Sequence, residues 1–342
     1  VAYFAAPSMV AVLHTLHVRL FLEQVIHVAN HAEDKVVIVD NTLVPLFAKL
    51  LPELKTIEHV IVNGPADTSA LAAGGVSVHS YADLLEGRPD SYDWPELDER
   101  TAAAVCYTSG TTGDPKGVVY DHRSIYLHSM GIALPDVFDL SAKDRVLAIV
   151  PQFHVNAWGL PFACMMTGAD LLMPDRFLQP EPLAAFMRAS RPTKSGAVPT
   201  VWGGLLQLML ANPEAADAVA TLDEAIVGGA ALPPSLLDAY EGFGVTILHA
   251  WGMTEMSPLG TLARVPSYAA ADDVRKYRLS QGRFPVSVEA RLVGPDGSVM
   301  PWDDESVGEL EVRGPWITGS YNGDPDPERF DEGWLRTGDV GR

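Results

Sequence analysis

The stretch Ala103-Ala104-Val105-Cys106-Tyr107-Thr108-Ser109-Gly110-Thr111-Thr112-Gly113-Asp114-Pro115-Lys116-Gly117 runs from five apolar residues directly into a loop of glycine, hydroxyl and one lysine. The apolar run reads as a buried β-strand. In the loop, Gly110 and Gly113 lack the Cβ that would keep backbone amides from turning toward an anion. Ser109, Thr111 and Thr112 add hydroxyl donors, and Lys116 adds a mobile cation. A phosphate-binding turn behind a strand is the expected structure. The spacing excludes a Walker A loop, which needs glycine before its lysine and Ser or Thr after it; Lys116 follows Pro115 and precedes Gly117. The Gly-x-Gly-x-x-Gly dinucleotide fingerprint is also absent from this loop.

Outward from this loop, short β-branched runs alternate with helical stretches, the pattern of parallel sheets with crossover helices. Val36–Val39, Val60–Val62, Val146–Val150, Ala225–Val227 and Val245–Leu248 read as strands. Leu43–Leu51, Ser124–Leu134 and Ser235–Tyr240 read as helices, and the apolar opening from Val1 reads as a core helix. Residues 87–99, acidic and with two prolines, read as a surface connection. Four strands end in loops rich in Gly, Thr, His or acidic residues: after Tyr107, at Pro151-Gln152-Phe153-His154, at Gly228-Gly229-Ala230-Ala231, and at His249-Ala250-Trp251-Gly252-Met253-Thr254-Glu255. In open α/β sheets ligands sit outside the carboxyl ends of strands, so these loops are expected to form one crevice. From about Val265 the pattern changes to period two, in Val286–Val293 and Glu309–Arg313 around the turn Gly294-Pro295-Asp296-Gly297. This predicts a small antiparallel, barrel-like β subdomain over 265–342 beside α/β subdomains over 1–264.

The composition, with 47% hydrophobic and 20% charged residues, is that of a folded globular chain. A formal net charge of −20 argues against a nucleic-acid or anionic-lipid binder, since both need a basic face. An anionic ligand must therefore be held by a few local cations and amides. Cys106 and Cys164, both in apolar sequence, read as reduced thiols of a cytoplasmic protein, and no stretch reads as a signal peptide or transmembrane segment. Beginning at Val1 and stopping at Arg342, the sequence is expected to be a piece of a longer protein.

The run Tyr107–Val118 resembles the signature loop of the adenylate-forming superfamily, which includes acyl-CoA synthetases, luciferases and peptide-synthetase adenylation domains. Further segments resemble later motifs of that superfamily in order and spacing: Gly228–Leu232, Trp251–Glu255, Gly308–Gly314 and Trp334–Asp339. The resemblance covers nearly the whole chain and implies its large N-terminal α/β domain, without the small C-terminal lid domain. It implies binding of ATP, Mg²⁺ and CoA, a carboxylic acid as substrate, no nucleic-acid partner, and is compatible with a homodimer.

The resemblance further implies that residues 108–116 hold the β- and γ-phosphates through Thr108, Ser109, Gly110, Thr111, Thr112, Gly113 and Lys116. Thr254 is implied at the α-phosphate and Glu255 at Mg²⁺, a hard cation that prefers oxygen ligands. Gly229, Ala230 and Ala231, with the segment His249, Ala250, Trp251, Gly252 and Met253, are implied to border the adenine, and Asp339 to bind the ribose hydroxyls.

On the acyl side, His154 stands where amino-acid-activating relatives carry an aspartate, which disfavours an α-amino acid and points to the medium- and long-chain acyl-CoA synthetases. His154, Trp158, Val198, Trp202, Gly228 and Gly229 are expected around the acyl group, with Trp202 narrowing the tunnel. For Trp158 and Trp202, plain core packing is the competing reading. An aryl, methylthio-substituted or luciferin-type acid, and a non-catalytic nucleotide-binding module, remain open. In the superfamily the lid domain supplies a lysine for adenylation and builds the CoA site, so the 342-residue chain alone is expected to bind nucleotide and turn over poorly.

Overall fold

The computed structural model describes residues 1–108 and 113–342. The chain divides into two compact units, Val1–Val119 and Tyr120–Arg342.

In the first unit, strands β1 (Leu13–His14), β2 (Val36–Asp40), β3 (His59–Asn63), β4 (Ser77–Ser80) and β5 (Ala102–Tyr107) are followed by β6 (Gly117–Asp121), which carries the chain into the second unit. β2, β3 and β4 form a parallel sheet. The period-two burial of β2 sends Val37 and Val39 inward, where they meet Val25 and Ala29 of the helix Leu22–His31 and Phe47 and Leu50 of the helix Val44–Leu50. The second sheet has the order β1-β5-β6. Ala103 to Tyr107 are buried, as the apolar run requires.

The second unit carries β7 (Arg145–Ala148), β8 (Asp170–Leu172), β9 (Lys194–Ala197), β10 (Glu224–Val227), β11 (Thr246–Gly252) and β12 (Leu259–Leu262) in the order β12-β11-β10-β9-β7-β8. All neighbours are parallel except the β11–β12 pair. Side-chain alternation divides the core between the faces of this sheet. Leu147, Ala225, Val227 and Ile247 join the cluster containing Trp202, Leu205 and Tyr240, while Val146, Ala148, Ile226 and Leu248 join the cluster containing Phe138, Leu160 and Leu262. Beyond it, β13 (Glu289–Val293), β14 (Val299–Met300), β15 (Gly308–Arg313), β16 (Phe330–Asp331) and β17 (Trp334–Gly341) form an open antiparallel sheet, curled like half a barrel, in the order β14-β13-β15-β17-β16. A register shift between Glu309 and Glu311 marks a bulge, which increases local twist. The α/β class with an antiparallel subdomain is thus present.

Three local readings are corrected. The opening helix spans only Ala2–Ser8, with Pro7 its one buried residue; Val10 then takes a left-handed φ of 67° and Leu13–His14 is a strand. Residues 249–252, read as a loop, continue β11 because β12 supplies a hydrogen-bonding partner that only tertiary structure brings. The strand expected from Val286 begins at Glu289: Pro285 lacks an amide donor, and Val286 is 93% exposed.

Candidate functional site

The face of the second unit's sheet that carries Ile226 also carries a cavity of about 270 Å³. Register places the residues of this face in rows. Val146, Lys194 and Glu224 lie at the amino end, Ala148, Gly196, Ile226 and Leu248 follow, and Gly228 and Ala250 lie at the carboxyl end. Ile132, Phe138, Leu160, Ile226, Leu259 and Leu262 give the cavity an apolar lining. Its polar groups gather at the carboxyl end, in Gly228, Gly229, the segment Ala250–Thr254 and His154. An apolar body with a polar rim suits an amphipathic small molecule with one polar end.

Glycines make room for one wall of this cavity. A Cβ at Gly196 would stand 3.3 Å from the Trp158 ring, and one at Gly228 would stand 3.4 Å from that ring and 3.1 Å from the Ala250 carbonyl oxygen. Trp158 therefore lies across the carboxyl ends of β9 and β10. The backbone that delivers it is unusual: Val155, Asn156, Ala157, Trp158 and Gly159 all have φ between 48° and 72°. Left-handed backbone costs about 1–2 kcal/mol per non-glycine residue, most for a β-branched one. Such strain persists only where the surroundings over-determine it. His154, at the start of this turn, keeps an exposed surface, while desolvation lowers its pKa from the usual histidine value; water screens that shift, so only its direction matters.

Against Gly159 of this turn stands His128, which also lines the cavity and is 1% exposed on the helix His122–Ala133. The Leu259 amide donates to His128 Nε2 at 3.2 Å, and the Trp316 indole donates to the Leu259 carbonyl at 3.0 Å. Nε2 must therefore be unprotonated, and burial pushes the His128 pKa down to about 3.

Beyond β11, Thr254–Met256 form a short 3₁₀ turn. The Tyr120 hydroxyl donates to the Thr254 carbonyl at 2.8 Å. The Glu255 carboxylate is 4% exposed; the Tyr321 hydroxyl donates to its Oε1 at 2.5 Å and Arg329 lies 3.8 Å from the same atom. Burial and then this carboxylate push the Tyr321 pKa up, so the phenol stays protonated and donating. Among the described residues no group of three or more His, Cys, Asp or Glu could hold a metal ion. One buried carboxylate oxygen set fits Mg²⁺, which is held through one or two carboxylates plus phosphates, and does not fit an all-protein cage. The Trp251 indole donates to Asp339 Oδ2 at 2.8 Å, tying β11 to β17. His249, 4% exposed, contacts the Ser280 carbonyl through Nδ1 at 3.0 Å; burial lowers its pKa, opposed by backbone hydrogen bonds to Ser280, Ala230 and Leu279.

Within the first unit, the stem of the glycine-rich loop is closed on itself. The Thr108 amide donates to the Lys116 carbonyl at 3.0 Å, and the Lys116 amide donates to Thr108 Oγ1 at 3.0 Å. Thr108 thus uses both its amide and its hydroxyl in holding the ends of β5 and β6 together. Ser109, Gly110, Thr111 and Thr112 lie outside the described residues.

Residues 1–322 match the profile of a family described as AMP-binding enzyme. The chain belongs to the AMP-binding enzyme family. It is 42% identical over 342 residues to a 3-methylmercaptopropionyl-CoA ligase of Ruegeria pomeroyi, covering 99% of this chain and 63% of that protein. It is 40% identical over 345 residues to a medium-chain-fatty-acid–CoA ligase of Ectopseudomonas oleovorans, covering 99% of this chain and 62% of that protein. The chain therefore spans under two thirds of the length of these relatives. The fold is similar to that of an anthranilate CoA ligase solved with anthranoyl-AMP, with a TM-score of 0.85 at 22% identity over 99% of this chain and 62% of that one.

In this chain, His154, Trp158, Gly228, Gly229, Ala250, Trp251, Gly252, Met253 and Thr254 meet at the cavity. Glu255 follows Thr254 but faces Tyr321 and Arg329. Asp339 joins the group through Trp251, and Val198 lies beside Gly229, where an added Cβ would come within 3.3 Å of it. Ala230 and Ala231 are exposed just beyond Gly229, and His249 is buried beneath the strand end. Trp202 is elsewhere: it is fully buried on the other face of the sheet, its ring against Tyr240 and its indole donating to the Ile226 carbonyl at 3.4 Å. Core packing, the competing sequence reading, describes that position. Lys116 and Gly113 belong to the first unit.

Sequence reading missed Phe138, His128, Tyr321 and Arg329. None sits in a motif. His128 and Phe138 fall on and after an ordinary amphipathic helix, and Tyr321 lies 66 residues from the Glu255 it contacts. No local pattern signals such pairings.

Proposed function

We propose that this chain binds ATP and a carboxylic acid with an apolar tail and joins them as an acyl-adenylate, the first half of an AMP-forming acid–thiol ligase reaction. The observation that carries this reading is the apolar cavity whose polar rim is Gly228–Gly229 and Ala250–Thr254. Family membership and the relatives' names support the same chemistry. The tail lies in the cavity and the carboxylate at the rim near His154. A carboxylate oxygen attacks the α-phosphorus, forming a C–O–P linkage as the bond to the β-phosphate oxygen breaks and pyrophosphate leaves. Thr254 orients the α-phosphate, Lys116 and the loop from Thr108 hold the leaving phosphates, and Asp339 takes the ribose hydroxyls in a position fixed by the Trp251 indole. Mg²⁺, bound through Glu255, supplies neutralisation of phosphate charge. Tyr321 and Arg329 keep that carboxylate aimed. Thioester formation with CoA completes the reaction in the longer protein.

The acid is inferred to be short or medium in length. A volume of about 270 Å³ lies at the lower edge of the ~300–1,000 Å³ typical of small-molecule pockets. A methylthio-substituted acid is the second reading, favoured by the name of the Ruegeria relative, since a thioether packs much as a methylene does. Pyrophosphate release with MgATP, assayed across aliphatic, methylthio and aryl acids, tests both. The first reading expects a maximum among aliphatic acids; no release with any acid, from a longer form of the protein that shifts its melting point with MgATP, refutes adenylation.

A further inference from the structure

At the amino end of the cavity-bearing sheet face, three charged side chains cluster, Lys194 buried and Glu224 and Arg264 half-buried. Lys194, 5% exposed, donates through Nζ to Glu224 Oε2 at 2.9 Å and to the Phe138 carbonyl at 2.7 Å. Its ammonium also lies 5.2 Å from the Phe138 ring centroid. Arg264 grips Glu224 with two bonds of 2.8 and 3.0 Å, and donates to the Val137 carbonyl through Nε at 3.0 Å and Nη2 at 2.8 Å. The Phe138 amide donates in turn to the Ile132 carbonyl at 3.0 Å. Val137 and Phe138 both line the cavity, and Phe138 is fully buried.

This arrangement sits opposite the rim. Glu224 and Gly228 are four residues apart along β10 and its exit, which corresponds to about 13 Å of extended strand. Gly228 belongs to the polar rim, and Glu224 and Lys194 to the far row that holds Phe138. A buried ion cluster is seldom more stabilising than well-packed apolar side chains of similar volume. Here, though, its donors are spent on the two carbonyls that set where Val137 and Phe138 stand. An apolar tail that displaced Phe138 would strip the Lys194 ammonium of a carbonyl and a ring in a buried site, so this wall resists displacement far more than an aliphatic one.

We propose that Phe138, clamped by Lys194, Glu224 and Arg264, is the chain-length stop of the acyl cavity and confines the chain to short and medium acids. Phe138 touches the tail; the three charged residues are positioning residues acting through it. The inference rests on the reading of the cavity as the acyl site. It is tested by the affinities of non-hydrolysable acyl-sulfamoyl-adenosines carrying butanoyl, octanoyl and dodecanoyl tails, measured calorimetrically on the chain and on Phe138→Ala, the milder Phe138→Leu, and Glu224→Gln. The parent chain is expected to bind the dodecanoyl analogue at least about tenfold more weakly than the octanoyl one, the scale on which a pocket discriminates small changes in tail length. In Phe138→Ala and Phe138→Leu the dodecanoyl-to-butanoyl affinity ratio rises by about tenfold or more, and in Glu224→Gln it rises in the same direction by a smaller factor. Equal weakening of all three tails in folded variants, or an unchanged ratio, overturns the stop while leaving the acyl site standing. Failure of the parent chain to bind any tail more tightly than adenosine sulfamate overturns the acyl-site reading itself, and the stop with it.

Discussion

Substitution of His128 by glutamine tests whether a neutral, buried imidazole holds one wall of the cavity. His128 accepts the Leu259 amide through Nε2, and its pKa is pushed down to about 3 from an ordinary 6.5. Because the folded state resists protonation and the unfolded state does not, the unfolded state binds more protons between these values. Stability from this group is therefore complete well above pH 6.5 and is lost as pH falls toward 3. Between about pH 7 and about pH 5 the linkage integral gives a loss of about 2 kcal/mol. His154 and His249 are shifted the same way and add to the acid sensitivity of the parent, so the variant must be compared at both pH values. Glutamine keeps an acceptor for the Leu259 amide but cannot titrate, and any loss of packing is common to both pH values. Urea unfolding followed by tryptophan fluorescence suits the measurement, because every tryptophan except Trp94 lies in the second unit. The drop in unfolding free energy from pH 7 to pH 5 is expected to be about 2 kcal/mol smaller in His128→Gln than in the parent. An equal drop in both proteins refutes the assignment of His128 as a neutral acceptor.

Other substitutions separate binding from packing. Gly228→Ala places a methyl group 3.1 Å from the Ala250 carbonyl and 3.4 Å from Trp158, and is expected to cost about 1–3 kcal/mol of stability and to weaken acyl-adenylate analogues, read by calorimetry. Trp251→Phe removes the donor to Asp339, and with it a hydrogen bond to a charged group. Nucleotide affinity is expected to fall by about threefold to tenfold, with little change in melting temperature. Trp202→Phe is expected to lower stability by about 1–3 kcal/mol and leave the order of preference among acids unchanged; an altered order would put Trp202 in the acyl site after all.

Much of this fold is legible because its strands obey local rules. The apolar run before the glycine-rich loop and the strands over Val36–Val39 and Ala225–Val227 follow from sequence alone, whereas which of their apolar residues are buried, as with Val37 and Val39 but not Val36 and Ile38, does not. The rim of the cavity was legible for a related reason: Gly228 and Gly229 follow β10, and Trp251–Thr254 stand at the end of β11, in a recognisable order. The β11–β12 pair was not, because its hydrogen bonds depend on a partner strand brought back through a turn.

The amino-acid sequence by itself determined the family, the α/β class and the strand-end loops that ring the cavity, because these are properties of short contiguous stretches. Only the tertiary structure decided which face of the sheet holds the cavity, that Trp202 lies on the other face, and that Lys194, Glu224 and Arg264 converge on Val137 and Phe138. Those relations join residues dozens of positions apart through strand register and buried charge pairing. Register is settled cooperatively by the whole sheet, so no local window of sequence contains it.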